Sequence, residues 1–156
     1  MPYLLTTVAS LMILAVALTA SAEPLPASFV ESLKTEKQIY VASQRADGSH
    51  SKAVPIWFWW DGSHVYFTTS PDSYKARRIR RGSPIFFSFE GADGPFVQGR
   101  PELIDDLDVV ARMGEAYNEK YWIAWMGFFR PRPDRVAEGK TIAVRVTFEP
   151  AVDSRQ

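Results

Sequence analysis

Cysteine is absent from the 156 residues. That removes disulfides, zinc–thiolate and iron–sulfur sites, thiol catalysis and lipid attachment through a cysteine anchor. Histidine is nearly absent: His50 and His64 are the only two, too few for a multi-histidine metal site. An excess of either charge is missing as well. Lys+Arg and Asp+Glu both number 18, for a formal net charge of zero. The basic surplus of a general nucleic-acid or anionic-membrane binder is therefore lacking, and neither partner is expected. No P-loop, no Ser-His-Asp arrangement and no internal repeat can be found. Redox chemistry in such a chain would need a borrowed organic cofactor.

What is present is bulk. Hydrophobic residues make up 46% and aromatics 13%, with five Trp and ten Phe, against 23% charged. A chain of this composition folds around a real core. Its first 22 residues carry no charged side chain, and residues 8–18 are apolar apart from Ser10. Eleven residues rise about 16 Å as a helix, roughly half of a bilayer core. The run passes into Ala20-Ser21-Ala22, a small-x-small pattern, and then Glu23-Pro24. Residues 1–22 read as a secretory signal peptide, although the segment has no Lys or Arg at its start. The mature protein is then expected in the periplasm or outside the cell, with no stable membrane association after cleavage. A start site assigned too early would leave it cytoplasmic.

Residues 23–38 read as a linker and a short helix from Phe29 to Lys37, with Ser28 as its N-cap. Residues 39–44 and 51–60 and 65–69 read as strands, joined through Asp47-Gly48 and Asp61-Gly62, an antiparallel meander. Residues 70–81 read as a short helix with Pro71 in its first turn, ended by Gly82-Ser83-Pro84. Residues 85–89 and 96–104 make two further strands; Pro101 points to an edge or bulge in the second. Residues 105–121 have helical spacing at Leu107, Val110, Met113 or Gly114, Tyr117 and Tyr121. Residues 122–129 are an aromatic patch, and residues 130–133 a loop. Ile142, Val144, Val146 and Phe148 alternate as a last strand. The fold class is mainly β with short helices, a six-stranded antiparallel barrel. The strand at residues 54–60 is apolar on both faces, so one face needs a partner: a helix, a second subunit or a ring-shaped ligand.

The middle of the chain resembles a known family. YVASQRADGSHSKAVPIWFWWDGSHVYFTTS at 40–70, SYKARRIRRGSPIFFSF at 73–89 and VQGRPELID at 97–105 are similar to the FMN-binding split barrel of the pyridoxamine 5′-phosphate oxidase-like family. The resemblance covers residues 39–148 and weakens after Asp105. It implies a six-stranded split barrel at residues 39–150 and a homodimer with flavin in clefts at the interface. It also implies a cofactor that is FMN, a deazaflavin or haem. By match, Val54, Pro55, Ile56 and Trp57 lie along the flavin ring, and Thr68, Thr69, Ser73, Tyr74 and Lys75 form the phosphate corner, with Lys75 as its cation. The vitamin-forming oxidases carry Arg near Ala53, Lys near Phe58 and Arg where Tyr74 stands, which weighs against pyridoxamine phosphate as the substrate.

The residues alone allow blander readings. Lys75, Arg77, Arg78, Arg80 and Arg81 crowd one segment and could be a solvated basic face. Of the aromatic strand, Trp57 is the residue expected to meet a ligand ring, since alternation lets only half the run do one job. Tyr121, Trp122, Trp125, Phe128 and Phe129 either cover the ligand pocket or pack. His50 and His64 flank turns and are expected at the surface. The functional expectation is an FMN-binding oxidoreductase acting on an unknown small substrate. The alternatives are a non-catalytic binder of flavin, deazaflavin or haem, and a barrel without a cofactor.

Overall fold

Apolar residues two apart build a single antiparallel sheet in the computed structural model, which describes residues 24–127 and 129–148. The expected leader (1–22), Phe128 and the side chain of Trp125 lie outside the described residues. The strands are β1 (Ile39–Ser43), β2 (Val54–Ile56), β3 (Trp59–Trp60), β4 (Val65–Thr69), β5 (Ile85–Ser88), β6 (Val97–Ile104) and β7 (Ile142–Phe148). Their order is β2-β1-β5-β6-β7-β4-β3, every pair antiparallel. The two outermost strands, β2 and β3, are consecutive in the chain. Ile56 and Trp59 are three peptide units apart, at most about 11 Å between Cα atoms. The sheet must therefore curl until its edges almost meet, and the result is a split barrel.

The run at residues 51–60 is thus two strands rather than one, and the count rises from six to seven. At Trp57-Phe58 the chain leaves one edge of the sheet and joins the other. Inside the barrel, Ile39 and Val41, Val65 and Phe67, Ile85 and Phe87, and Val144 and Val146 are all buried in one cluster, the period-two signature of strands. Phe58 joins them, with Phe29 and Leu33 from α1 (Ala27–Thr35) and Ile79 from α2 (Tyr74–Arg80). Each such side chain contributes about 1.5–3 kcal/mol on burial.

α1 starts after Pro26 without a side-chain cap, so Ser28 lies inside it rather than capping it. α2 is shorter than residues 70–81. Ser73 is its N-cap and accepts from the Ala76 N–H at 3.0 Å, while Pro71 sits in the preceding turn. α3 (Leu107–Lys120) is capped by Asp106, whose carboxylate accepts from Asp108 and Val109 N–H groups. Its buried face, Val109, Val110, Met113, Gly114 and Tyr117, covers Tyr66 and Ala143 on the outside of the barrel. Two short helices follow, α4 (Trp122–Trp125) and α5 (Pro133–Ala137); α5 was not foreseen. Pro101 sits in β6 past the end of its β5 pairing, which stops at Gly99, so it is flanked by β7 alone and behaves as an edge residue.

Candidate functional site

Where the strand breaks, backbone groups lose their ladder partners, and the end of α3 replaces them. The Tyr117 hydroxyl donates to the Trp57 carbonyl at 2.9 Å. The Tyr121 hydroxyl accepts from the Phe58 N–H at 3.1 Å and donates to the Lys37 carbonyl at 2.6 Å. The Lys120 ammonium donates to the Phe58 carbonyl at 3.2 Å and lies 3.4 Å from the centre of the Phe58 ring. Burial raises Tyr117 well above the ordinary phenol value. Burial also pushes Tyr121 up to about 12, against the Phe58 backbone hydrogen bond. It brings Lys120 down to about 8, against the opposing charge of Glu36.

This fastening fixes Trp57. Its ring stacks on Tyr121 at 4.2 Å and 4° and meets Tyr117 and Phe129 edge-on at 6.3 and 6.0 Å. One face of Trp57 is thereby covered. The residue borders two clefts. The smaller, about 480 Å³, lies between Glu36–Gln38, Tyr121 and Trp122. The larger, about 830 Å³, runs from Ile56, Trp57, Tyr117 and Phe129 to the ends of β4 and β7, within the usual range for a cofactor site. At that second end stand Thr68, Thr69, Ser70 and Thr141, with Arg132, Arg135 and Lys140. The cleft is aromatic at one end, where Arg130 follows Phe129, and rich in hydroxyls and cations at the other.

Of the residues expected from the sequence, Ile56, Trp57, Thr68 and Thr69 line this cleft. Ser73 joins through its hydroxyl, 3.0 Å from that of Thr69. Lys75 stands nearby but aims elsewhere: its ammonium lies 5.5 Å from the centre of the Phe67 ring, and burial lowers its pKa. Val54, Pro55 and Tyr74 are exposed outside the cleft. The other aromatics of the run have separate duties: Phe58 is core, Trp59 stacks on Tyr66 at 4.8 Å, and Trp60 packs towards Phe148. Much of the basic run is engaged by the protein. Arg78 donates to the Ser43 hydroxyl at 2.9 Å, Arg80 to the Pro71 carbonyl at 2.8 Å and Arg81 to the Gln44 carbonyl at 3.4 Å.

Neither histidine belongs to the cleft. His50 stacks on Phe86 at 3.8 Å, and His64 sits half-buried, 3.6 Å from the Asp61 carboxylate. Among the described residues no group of three His, Asp or Glu could hold a metal ion, and no helix is long and apolar enough to cross a membrane. Sequence reasoning missed Tyr117 as a cleft wall and missed Arg132, Arg135, Lys140 and Thr141 altogether. The available signal was Arg130-Pro131-Arg132-Pro133-Asp134-Arg135, three arginines in six positions.

A curled antiparallel sheet closed by its own broken strand, with a cleft at the break, is a split barrel. The family model described as pyridoxamine 5′-phosphate oxidase matches residues 25–151, and the chain belongs to that family. Solved structures of the same fold include an F420 reductase, with TM-score 0.53 and 20% identity over 81% of this chain and 97% of that one. The haem storage protein HutZ of Vibrio cholerae has TM-score 0.54 and 15% identity over 80% and 89% of the two chains. A FAD-binding protein of Mesorhizobium loti has TM-score 0.53 and 16% identity over 80% and 91%. At these identities the likeness is one of fold. No curated protein matches the chain.

Proposed function

We propose that the protein is a homodimeric FMN-binding oxidoreductase acting on a small molecule. The observation that carries this reading is the division of the 830 Å³ cleft into a ring-lined end and a hydroxyl- and cation-lined end. A flat aromatic ring system joined to a phosphate has the same division. Ile56 and Trp57 would flank the ring, with Tyr117 fixing Trp57 through its carbonyl. Thr68, Thr69 and Ser73 would offer hydroxyls to the phosphate, and Lys75 a cation once its ammonium turns from the Phe67 ring into the cleft. Bound FMN would supply the hydride and electron chemistry. The chain's own contribution is to bind it, orient it and keep water from one face. A visible flavin absorption band in the purified protein supports the reading, and turnover with NAD(P)H separates an enzyme from a carrier. A Soret band instead would sink it.

The phosphate corner has its own test. Lys75 has no anionic partner among the described residues. A charge-assisted contact is worth roughly 1.5–3 kcal/mol, so Lys75→Ala should weaken FMN about tenfold to a hundredfold. Arg81→Ala, whose guanidinium donates to the Gln44 carbonyl, should bind FMN like wild type. Equal affinities in all three proteins, measured by flavin fluorescence titration, would move the phosphate elsewhere.

A further inference from the structure

Trp57 and Trp59 lie two residues apart, and both pack against Tyr117 and Tyr121 at the end of α3, while Phe58 between them enters the core. Trp59 has a second aromatic neighbour. The β3–β4 register sets it opposite Tyr66, and the two rings stack at 4.8 Å. Packed rings therefore run from Trp57, on the wall of the large cleft, through Tyr117, whose ring centre is 6.3 Å away, and Trp59 to Tyr66. In a chain without cysteine, tryptophan and tyrosine are the side chains that give up one electron most readily.

The far end of this series differs from its middle in one chemical respect. A phenol that loses an electron becomes a strong acid and must pass its proton to a base. Tyr117 donates to the Trp57 carbonyl and Tyr121 to the Lys37 carbonyl, and amide carbonyls are feeble bases. Tyr66 instead donates to the Asp61 carboxylate at 3.0 Å. The other oxygen of that carboxylate accepts from the Ser63 and His64 N–H groups at 2.8 and 2.7 Å. Burial raises the Asp61 carboxyl, but these hydrogen bonds outweigh it and hold the group below its usual value, so it is an anion at neutral pH. The Tyr66 ring is buried, whereas the Asp61 side chain is 25% exposed. An electron vacancy is thus drawn outward to the one tyrosine of the series whose proton has a base to go to.

We propose that Trp57, Tyr117, Trp59 and Tyr66 form an electron relay that drains one-electron oxidants from the cleft towards the surface, with Asp61 as the proton acceptor at its end. The oxidant is an oxygen-centred radical of the alkoxyl or peroxyl class, which takes one electron from Trp57 and leaves as the corresponding anion. Trp57 is refilled through Tyr117 and Trp59 from Tyr66, whose hydroxyl proton passes to Asp61. The products are that anion, the Tyr66 phenoxyl radical and the Asp61 carboxylic acid. A small thiolate at the surface then returns one electron and leaves as a thiyl radical, while the Asp61 proton goes back to Tyr66. The relay rests on the flavin reading only in that a redox cofactor in the cleft would expose Trp57 to such radicals.

Azidyl radicals, which take one electron from tryptophan, are the probe. They are made by a radiolysis pulse in the purified protein without FMN, and tryptophanyl decay and tyrosyl growth are followed by transient absorption. Thermal melts confirm that each variant is folded. Wild type is expected to show tyrosyl growth at a rate independent of protein concentration. Tyr66→Phe and Trp59→Phe should lose at least half of that growth, because phenylalanine cannot carry the vacancy. Trp57→Phe should lose at least a third, the entry from the cleft being removed. Asp61→Asn keeps every ring and should slow the growth about tenfold. Trp60→Phe, whose ring packs towards Phe148, should match wild type. Growth equal to wild type in Tyr66→Phe, Trp59→Phe or Asp61→Asn overturns the proposal. So does equality in Trp57→Phe, which would detach the series from the cleft, and so does a wild type whose tryptophanyl radicals decay without tyrosyl growth. Should Trp59→Phe not fold, Tyr66→Phe and Asp61→Asn decide by the same criteria. FMN binding is titrated separately: its failure brings down the flavin reading, and the relay is still judged on the unloaded protein.

Discussion

Tyr121 serves the fold with both its ring and its hydroxyl. The ring backs Trp57, and the hydroxyl satisfies the Phe58 N–H and the Lys37 carbonyl across the strand break. Tyr121→Phe keeps the stack and strands the buried Phe58 N–H, at a cost of about 1–3 kcal/mol. Urea unfolding should show the loss, and a midpoint equal to that of wild type would remove the hydroxyl from the account. The same cluster gives stability a definite pH dependence. Lys120 titrates near 8 when folded, below its ordinary 10.5. Between those values the unfolded chain holds a proton that the folded protein lacks, so stability rises with pH. Tyr121 near 12 and the raised Tyr117 act in the other sense above about pH 10, where the unfolded chain loses protons that the folded one keeps. The cluster's contribution should climb from about pH 8, turn over near pH 10 and then fall. Unfolding midpoints across that range check it. Lys120→Met should flatten the rising limb, and an unchanged rise in that variant would mean the proton belongs to another group.

At the level of elements, Gly114 decides where the cationic segment lies. A Cβ on Gly114 would fall 2.7 Å from the Pro131 carbonyl oxygen, so α3 needs a glycine there to let residues 130–133 pass close. Val136 of α5 then packs against Val109, Val110 and Met113. Gly114→Ala gains about 1 kcal/mol of helix propensity but pushes against backbone that cannot rotate away. The expected outcome is a displaced segment and a melting temperature lowered by several degrees, with α3 intact by circular dichroism. A melting temperature equal to or above that of wild type would show that the segment has another seat. These elements also mark what the sequence could disclose. β7 was legible because Ile142, Val144, Val146 and Phe148 alternate, and α3 because its apolar residues recur every three or four positions. The break at Trp57-Phe58 was hidden, since four aromatics in a row look like one strand and the groups that hold the break lie sixty residues onward. The start of α2 was misplaced because Pro71 suits a first turn as well as Ser73 suits a cap. Thr68, Thr69 and Trp57 were found through motif resemblance. The cationic segment was not, because its cations are scattered through a proline-broken stretch and become neighbours only when α5 docks on α3.

For the whole molecule, curling the sheet covers its inner face and leaves a mouth. Val54 is 42% exposed, Tyr74 70%, Trp122 74% and Phe129 76%, while α3 covers the wall near Tyr66 and Ala143 and its end covers Trp57. Large apolar side chains exposed in this number commonly mark an interface. The double-sided apolar run expected at residues 54–60 resolves into two cases: Phe58, Trp59 and Trp60 are packed within the chain, whereas Val54 and Pro55 on β2 are exposed. A second subunit would therefore cover β2, Tyr74 and the segment after α3, a smaller apolar surface than the run at residues 54–60 suggested. The expected outcome is a homodimer at micromolar concentration by light scattering. Introducing a charge with Val54→Glu should shift the mass towards the monomer without lowering the melting temperature by more than a few degrees, since Val54 is outside the barrel core. A wild-type protein that scatters as a monomer would refute the dimer, and a Val54→Glu variant that stays dimeric would place the interface away from β2.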